Sequence, residues 1–222
     1  MKRALVMAVH PDDETIGCGG TLLKLRELGY ELHWMIATSA TEAGGYSKQF
    51  VKAREVQIER VAQAYAFAGI HKLQLPAARV ETVPLGSIIG TLAGLFKQIA
   101  PDTMFLPFYC DVHSDHRILF DACFSCTKSF RLPSLKRIYM METLSETEFA
   151  PSIPGRTFVP NTFVDISSYF DKKLEILNLY ESEVAEHPFP RSPLNVTSLA
   201  NYRGATAGCS HAESFMLLKE IW

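Results

Sequence analysis

The stretch "RALVMAVHPDDETIGCGGTLLKL", residues 3–25, joins three signals in one line. Arg3 to Val9 is aliphatic and reads as a buried strand stopped by His-Pro. His10, Asp12, Asp13 and Glu14 follow, a histidine and three carboxylates held close together by Pro11. Leucines at 22, 23, 25 and 28 then mark one face of a helix that stops at Gly29. Strand, polar turn, helix is the opening unit of an α/β sheet. A solvated turn accounts for one or two of those acids, not for the whole group.

The same alternation continues along the chain. "ELHWMIATS" is a second strand, "TEAGGYS" a loop, and residues 52–67 a long amphipathic helix ending near Gly69. "HKLQLP" is a third strand and "LGSIIGTLAGLFKQIA" a helix closed by Pro101. "DTMFLPF" is a fourth strand, followed by the polar loop "YCDVHSDH" and a helix over about residues 117–129. "KRIYMMET" and "TFVPNTFVDI" give later strands, with helices over 171–180 and around 198–202. The order predicts a Rossmann-like α/β fold: a mainly parallel sheet, helices on both faces, one domain over residues 1–222.

In such open sheets ligands sit outside the carboxyl ends of the strands. "HPDDE" and "HSDH" both fall at such ends and converge if the first and fourth strands are neighbours. Histidine plus carboxylate from a rigid turn, with a third ligand from a distant loop, suits a catalytic zinc that keeps one position open for water. Such a metal brings its water to a pKa near 7. A spare aspartate can then serve as general base, and a spare histidine can stabilise an oxyanion and protonate a leaving amine. Either cluster alone also fits a structural role, since aspartates after a strand often cap the next helix. Two clusters at equivalent strand ends favour the metal.

These residues also resemble a known family. "AVHPDDETIGCGGTL" is similar to the signature of the LmbE-like, or PIG-L, N-deacetylases, and "DVHSDH" to their second motif. "RGATAGCSHAESF" resembles their closing pattern, and "KLEILNLYES" the helix before it. The resemblance implies a zinc-dependent amidase that removes acetyl groups from N-acetylglucosamine-type sugars on a Rossmann-like sheet. It implies His10, Asp13 and His116 as metal ligands, Asp12 as general base, and His113 as the group that polarises the amide and protonates the amine. Asp115 would orient one of the histidines, and Arg54 and His211 would meet substrate. The chain departs from the pattern at Ser114, where proline is usual, and at Glu183, where glutamine is usual. "LPAARVE" replaces an aspartate and glycine that bind sugar hydroxyls in many relatives, so the sugar pocket is expected to be remodelled.

Bulk composition excludes other classes. Hydrophobic residues make up 47% and charged ones 21%, with a net charge of −2, which gives no electrostatic case for nucleic acid. The apolar run after Arg3 is too short for a signal peptide, and no stretch approaches a membrane span. Five scattered cysteines point to a reducing, cytoplasmic compartment. "GCGG" lacks the spacing of a dinucleotide fingerprint, and its glycines are read as close-approach positions for the first helix. The expected partner is a small N-acetylated sugar or conjugate. The residues leave open another amide, a thiol-conjugated sugar, iron or cobalt in place of zinc, a non-catalytic binding protein, and a homo-oligomer.

Overall fold

The computed structural model describes residues 2–222. One seven-stranded sheet organises them, in the spatial order β3-β2-β1-β4-β5-β7-β6. The strands are β1 (Arg3–Ala8), β2 (Glu31–Ser39), β3 (Gly69–Pro76), β4 (Thr103–Leu106), β5 (Arg137–Met141), β6 (Thr162–Asp165) and β7 (Ala212–Glu220). The helices are α1 (Asp13–Glu27), α2 (Lys48–Tyr65), α3 (Leu85–Ile99), α4 (Ser114–Ser125), α5 (Phe170–Leu177) and α6 (Pro193–Ala207). β1 to β5 run parallel, while β7 is antiparallel to both β5 and β6.

Burial explains why the central strands are continuous apolar runs. Along β1, Leu5 and Met7 face a core built with Leu92, Phe96 and Leu119 of α3 and α4. Ala4, Val6 and Ala8 alternate to the opposite face, where Leu22 of α1 and Tyr65 of α2 pack with Trp34. Both faces are covered, so neither can be polar.

The chain leaves β1 toward β2 and β3, then returns to place β4 on the other side of β1. Ala4, Leu5 and Val6 pair with Thr103, Met104 and Phe105. The split between those two strands is the switch point at which open α/β sheets bind ligands. Residues 10–14 and 111–116 follow β1 and β4 directly, so both polar clusters open onto it.

Two elements differ from the sequence reading. α1 starts at Asp13 rather than near Gly19, which puts Asp13 and Glu14 in its first turn, where the helix dipole favours negative charge. It is kinked at Cys18, and the glycines around the kink let it sit against its neighbours. A Cβ on Gly17 would lie 2.9 Å from Met141 Cβ, and one on Gly20 would lie 2.8 Å from Ile166 Cβ. The second difference is β7, a full strand where no strand was expected. Its outer half is only partly buried, which blurs the alternation that signals a strand.

Candidate metal centre and cavity

The turn between β1 and α1 is built under strain. Asp12 has φ 142°, a conformation that side chains rarely adopt and that persists only when its surroundings impose it. Those surroundings are visible. The Asp12 N–H donates to Glu14 Oε2 (3.2 Å), and the His10 N–H donates to Asp13 Oδ2 (2.8 Å). Arg54 of α2 donates to the Pro11 carbonyl (3.0 Å). Glu14 in turn accepts from Thr15 Oγ1 (2.6 Å) and from Tyr180 (2.8 Å), and burial raises its carboxyl to about 7.

One ligand atom each from His10, Asp13 and His116 lies within 4.8 Å of the others. His116 is wholly buried, and its Nδ1 faces Asp111 Oδ2 at 2.8 Å. In the neutral ring, that bond places the proton on Nδ1 and leaves a lone pair on Nε2. Nε2 is buried with no hydrogen-bond partner, and it lies 3.4 Å from Asp13 Oδ2. An unpartnered imidazole nitrogen facing a carboxylate at that distance fits a cation between them. The edge of a tetrahedral zinc site with Zn–N and Zn–O near 2.0–2.1 Å is about 3.3 Å. Burial pulls the His116 pKa down, but the charges of Asp13 and Asp111 outweigh it and lift it to about 9. The carboxylates around this ring call for positive charge, which a metal on neutral imidazole would provide.

A second group, His10, His113 and Asp115, is equally compact. Two of its three members are already committed. Asp115 accepts the backbone N–H groups of Ala78 (2.7 Å) and Val80 (3.2 Å), with His10 Nε2 3.5 Å away. His113 caps α4, its Nδ1 accepting from the Asp115 N–H (3.1 Å). An imidazole that accepts at Nδ1 and is neutral carries its proton on Nε2. Burial and the neighbouring His10 hold His113 below its usual pKa, so neutral is the form favoured here. His113 is thereby set up as a donor.

His10, Asp13 and His113 line a cavity of about 340 Å³, within the range of small-molecule sites. Asp12 reaches it, and burial with the charge of Asp13 pushes its carboxyl well up, while Arg191 Nε, 3.9 Å away, opposes that. Tyr46 and Phe50 stack at 5.3 Å on another wall.

With that geometry in place, the model of the "PIG-L: GlcNAc-PI de-N-acetylase" family matches residues 5–127, more than half of the chain. The chain belongs to the PIG-L family. It is similar to the diacetylchitobiose deacetylase of Thermococcus kodakarensis, 27% identical over 100% of this chain and 85% of that one. Its fold is similar to that of N,N'-diacetylchitobiose deacetylase from Pyrococcus horikoshii (TM-score 0.78, 20% identity, 98% of this chain and 84% of that chain). It is as similar to the 4-carboxy-2-hydroxymuconate hydratase of Pseudomonas putida KT2440 (TM-score 0.78, 18% identity, 100% and 98%).

Within this PIG-L protein, the structure sorts the expected site residues. His10, Asp12, Asp13 and His113 line the cavity together, with His116 buried behind them. Arg54 lines it too, but its guanidinium is engaged with Pro11, Ser182 and Glu183 and so also ties down the strained turn. Asp115 anchors the 78–80 backbone as well as approaching His10. His211 does not line this cavity, and its ring lies flat on Phe170 at 4.0 Å.

Three participants were not among the expected site residues. Asp111 orients His116, and it sits in the quoted "DVHSDH", so the motif itself held the signal. Arg191 donates to the Glu183 carbonyl (2.8 Å), Glu183 Oε2 (3.1 Å) and Ser145 Oγ (3.1 Å). Glu183, the departure from glutamine, thus bridges Arg54 and Arg191. Glu146 lines the cavity from the loop after β5, and burial raises its carboxyl to about 7.

Proposed function

We propose that this protein is a metal-dependent hydrolase that removes the N-acetyl group from an N-acetylglucosamine-type sugar or its conjugate. The observation that carries the reading is His116 Nε2, buried and unpartnered 3.4 Å from Asp13 in a three-ligand cluster beside the strained Asp12. Family membership and the deacetylase relatives support it.

His10, Asp13 and His116 would hold the metal, with zinc favoured by the two-histidine, one-carboxylate set and iron or cobalt as alternatives. Bound there, the metal would supply Lewis acidity and an activated water at neutral pH. Asp12 takes the proton of the attacking water on its carboxylate as the acetyl carbonyl is attacked. His113 donates from Nε2 toward the carbonyl oxygen as negative charge develops on it. His113 then gives its Nε2 proton to the leaving nitrogen and is reprotonated at the expense of Asp12, so that acetate and free amine result. Asp111 keeps His116 in the tautomer that presents Nε2.

The chain over 1–222 is read as one domain, because β7, near its end, is inserted between β5 and β6 of the same sheet. Among the described residues no helix is long and apolar enough to cross a membrane. Five free cysteines support a cytoplasmic setting.

The test is mass-spectrometric detection of acetyl loss from a panel of N-acetyl sugars and their nucleotide conjugates, comparing metal-loaded protein with Asp12→Asn. Turnover of at least one member is expected, falling about 10²- to 10⁴-fold in the variant at unchanged metal content. A fully active Asp12→Asn protein would remove the general-base role. Addition of water to an unsaturated acid without acetyl loss would move the protein to the hydratase chemistry of its structural neighbour.

A further inference from the structure

We propose that Glu146 is a specificity-determining residue: its carboxylate accepts a hydrogen bond from a hydroxyl of the sugar that carries the scissile acetamide. The inference rests on the deacetylase reading and names the contact by which the cavity would select its substrate.

Four neighbouring carboxylates are occupied. Glu14 accepts from Tyr180 and Thr15, Asp111 from His116 and Thr147, Asp115 from two backbone N–H groups, and Glu183 from Arg54 and Arg191. Glu146 differs. Its Oε2 is buried and has no hydrogen-bond partner, although the side chain lines the cavity beside His10, Asp12 and His113. Buried polar atoms left unpaired are rare in native proteins, and each one asks for an explanation.

Loop slack does not explain it. The Glu146 carbonyl accepts from the Val112 N–H (3.2 Å), which ties this loop to the one carrying His113. The Glu146 N–H donates to the Thr143 carbonyl (3.1 Å). Next to it, Thr147 Oγ1 accepts from the Thr143 N–H (2.9 Å) and donates to Asp111 Oδ1 (2.7 Å). The backbone that projects Glu146 is therefore pinned to the residue that orients His116.

As a carboxylate Glu146 only accepts, so the partner its Oε2 lacks in that form is a donor. The cavity's guanidinium groups, Arg54 and Arg191, are both drawn to Glu183 on another wall. A pyranose hydroxyl next to the reacting amide brings a donor of the right kind. A site built to bond a hydroxyl rejects the analogue lacking it, because its own buried group is then left unpaired.

Glu146→Gln and Glu146→Ala are compared with wild type for melting temperature, metal content, kcat and KM, on N-acetylglucosamine and its single-deoxy analogues. We expect KM to rise about 10- to 100-fold with a much smaller change in kcat, as for loss of a charged hydrogen bond. On one deoxy analogue, wild type and variant should coincide. Melting temperature should stay level or rise, because the free protein loses an unsatisfied carboxylate. Lower melting temperature with unchanged KM would make Glu146 structural and overturn the proposal. So would weaker binding of the amine product alone, which would assign the carboxylate to the ammonium group. If nothing in the panel is turned over, the deacetylase reading fails. The Glu146 contact is then decided by NMR titration of N-acetylglucosamine: equal dissociation constants for wild type and Glu146→Gln overturn it, and a weaker one for the variant supports it.

Discussion

α1 carries a cluster of buried charge at each of two places, and the two clusters are finished differently. At the kink, Glu213 of β7 accepts the N–H groups of Gly20 (2.9 Å) and Thr21 (2.7 Å) and the ammonium of Lys173 (2.7 Å). Lys173 also donates to the Ile16 carbonyl (2.8 Å). Each of these charged groups and backbone donors is paired, and Thr21 Oγ1, buried there without a partner, is a neutral hydroxyl. At the start of the helix, His116 Nε2 and Glu146 Oε2 are buried without partners, and Asp12 stands in a disfavoured backbone conformation. Charges of similar depth therefore serve different ends. A closed network holds the fold together, and an open one keeps places for something the chain does not contain.

The sharpest way to break that contrast is to open the closed cluster. Glu213→Ala leaves Lys173 buried and unpaired and removes the cap on the second half of α1. A loss of about 3–5 kcal/mol of stability is expected, read by urea unfolding. Removing both charges, with Glu213→Gln and Lys173→Met together, should recover most of it, since neither ion is then stranded. A Glu213→Ala protein as stable as wild type but slow in turnover would place Glu213 in the chemistry and collapse the distinction.

The converse experiment weakens the open cluster without emptying it. Asp111→Asn keeps a side chain of the same size beside His116 Nδ1 but removes its charge. Metal affinity is expected to fall about 10- to 100-fold, measured by competition with a chelator, while stability of the metal-free protein changes far less. An unchanged affinity would mean that Asp111 supports the loop through Thr147 alone.

The two clusters were unequally legible in the sequence. His10, Asp12, Asp13, His113 and His116 stood out because their chemistry is packed into two short segments, each ending a strand with a clear apolar pattern. The neighbouring of β1 and β4 then follows from the switch in strand order. Glu213 was marked by the quoted "RGATAGCSHAESF" as a structural hydrogen-bonding residue, but the backbone it pairs with is 192 and 193 residues away, so its partners carried no local signal. Glu146 lies in "TLSETEF", which has no periodicity and no motif to mark it. The first turns of α1 were missed for a related reason. Gly17, Gly19 and Gly20 argue against helix locally, and only the close fit to Met141 and Ile166 overrides that. His211 was marked by its place in a pattern, while its stacking on Phe170 carried no local signal.

The smallest expected effect tests whether an unpartnered buried atom is enough by itself to mark a functional site. His33 of β2 and His71 of β3 face each other, with Nδ1 and Nε2 3.2 Å apart. Gly69 leaves the room, since a Cβ there would lie 2.8 Å from His33 Nδ1. His33 Nε2 is buried without a hydrogen bond, 3.7 Å from Glu31 Oε1, yet neither ring lines the cavity. Burial holds both histidines below the usual 6.5, so the folded protein binds fewer protons than the unfolded chain just below that pH. Stability should therefore fall as pH drops through 6.5 toward the lower folded values, and this contribution should be flat above it. His71→Gln should shrink the difference in melting temperature between about pH 7.5 and about pH 5.5. Its kcat/KM at neutral pH should match wild type. If it does not, partnerless burial marks function even outside the cavity. If it does, the mark needs both conditions at once: an unpaired polar atom, and a cavity into which a ligand can bring the pair.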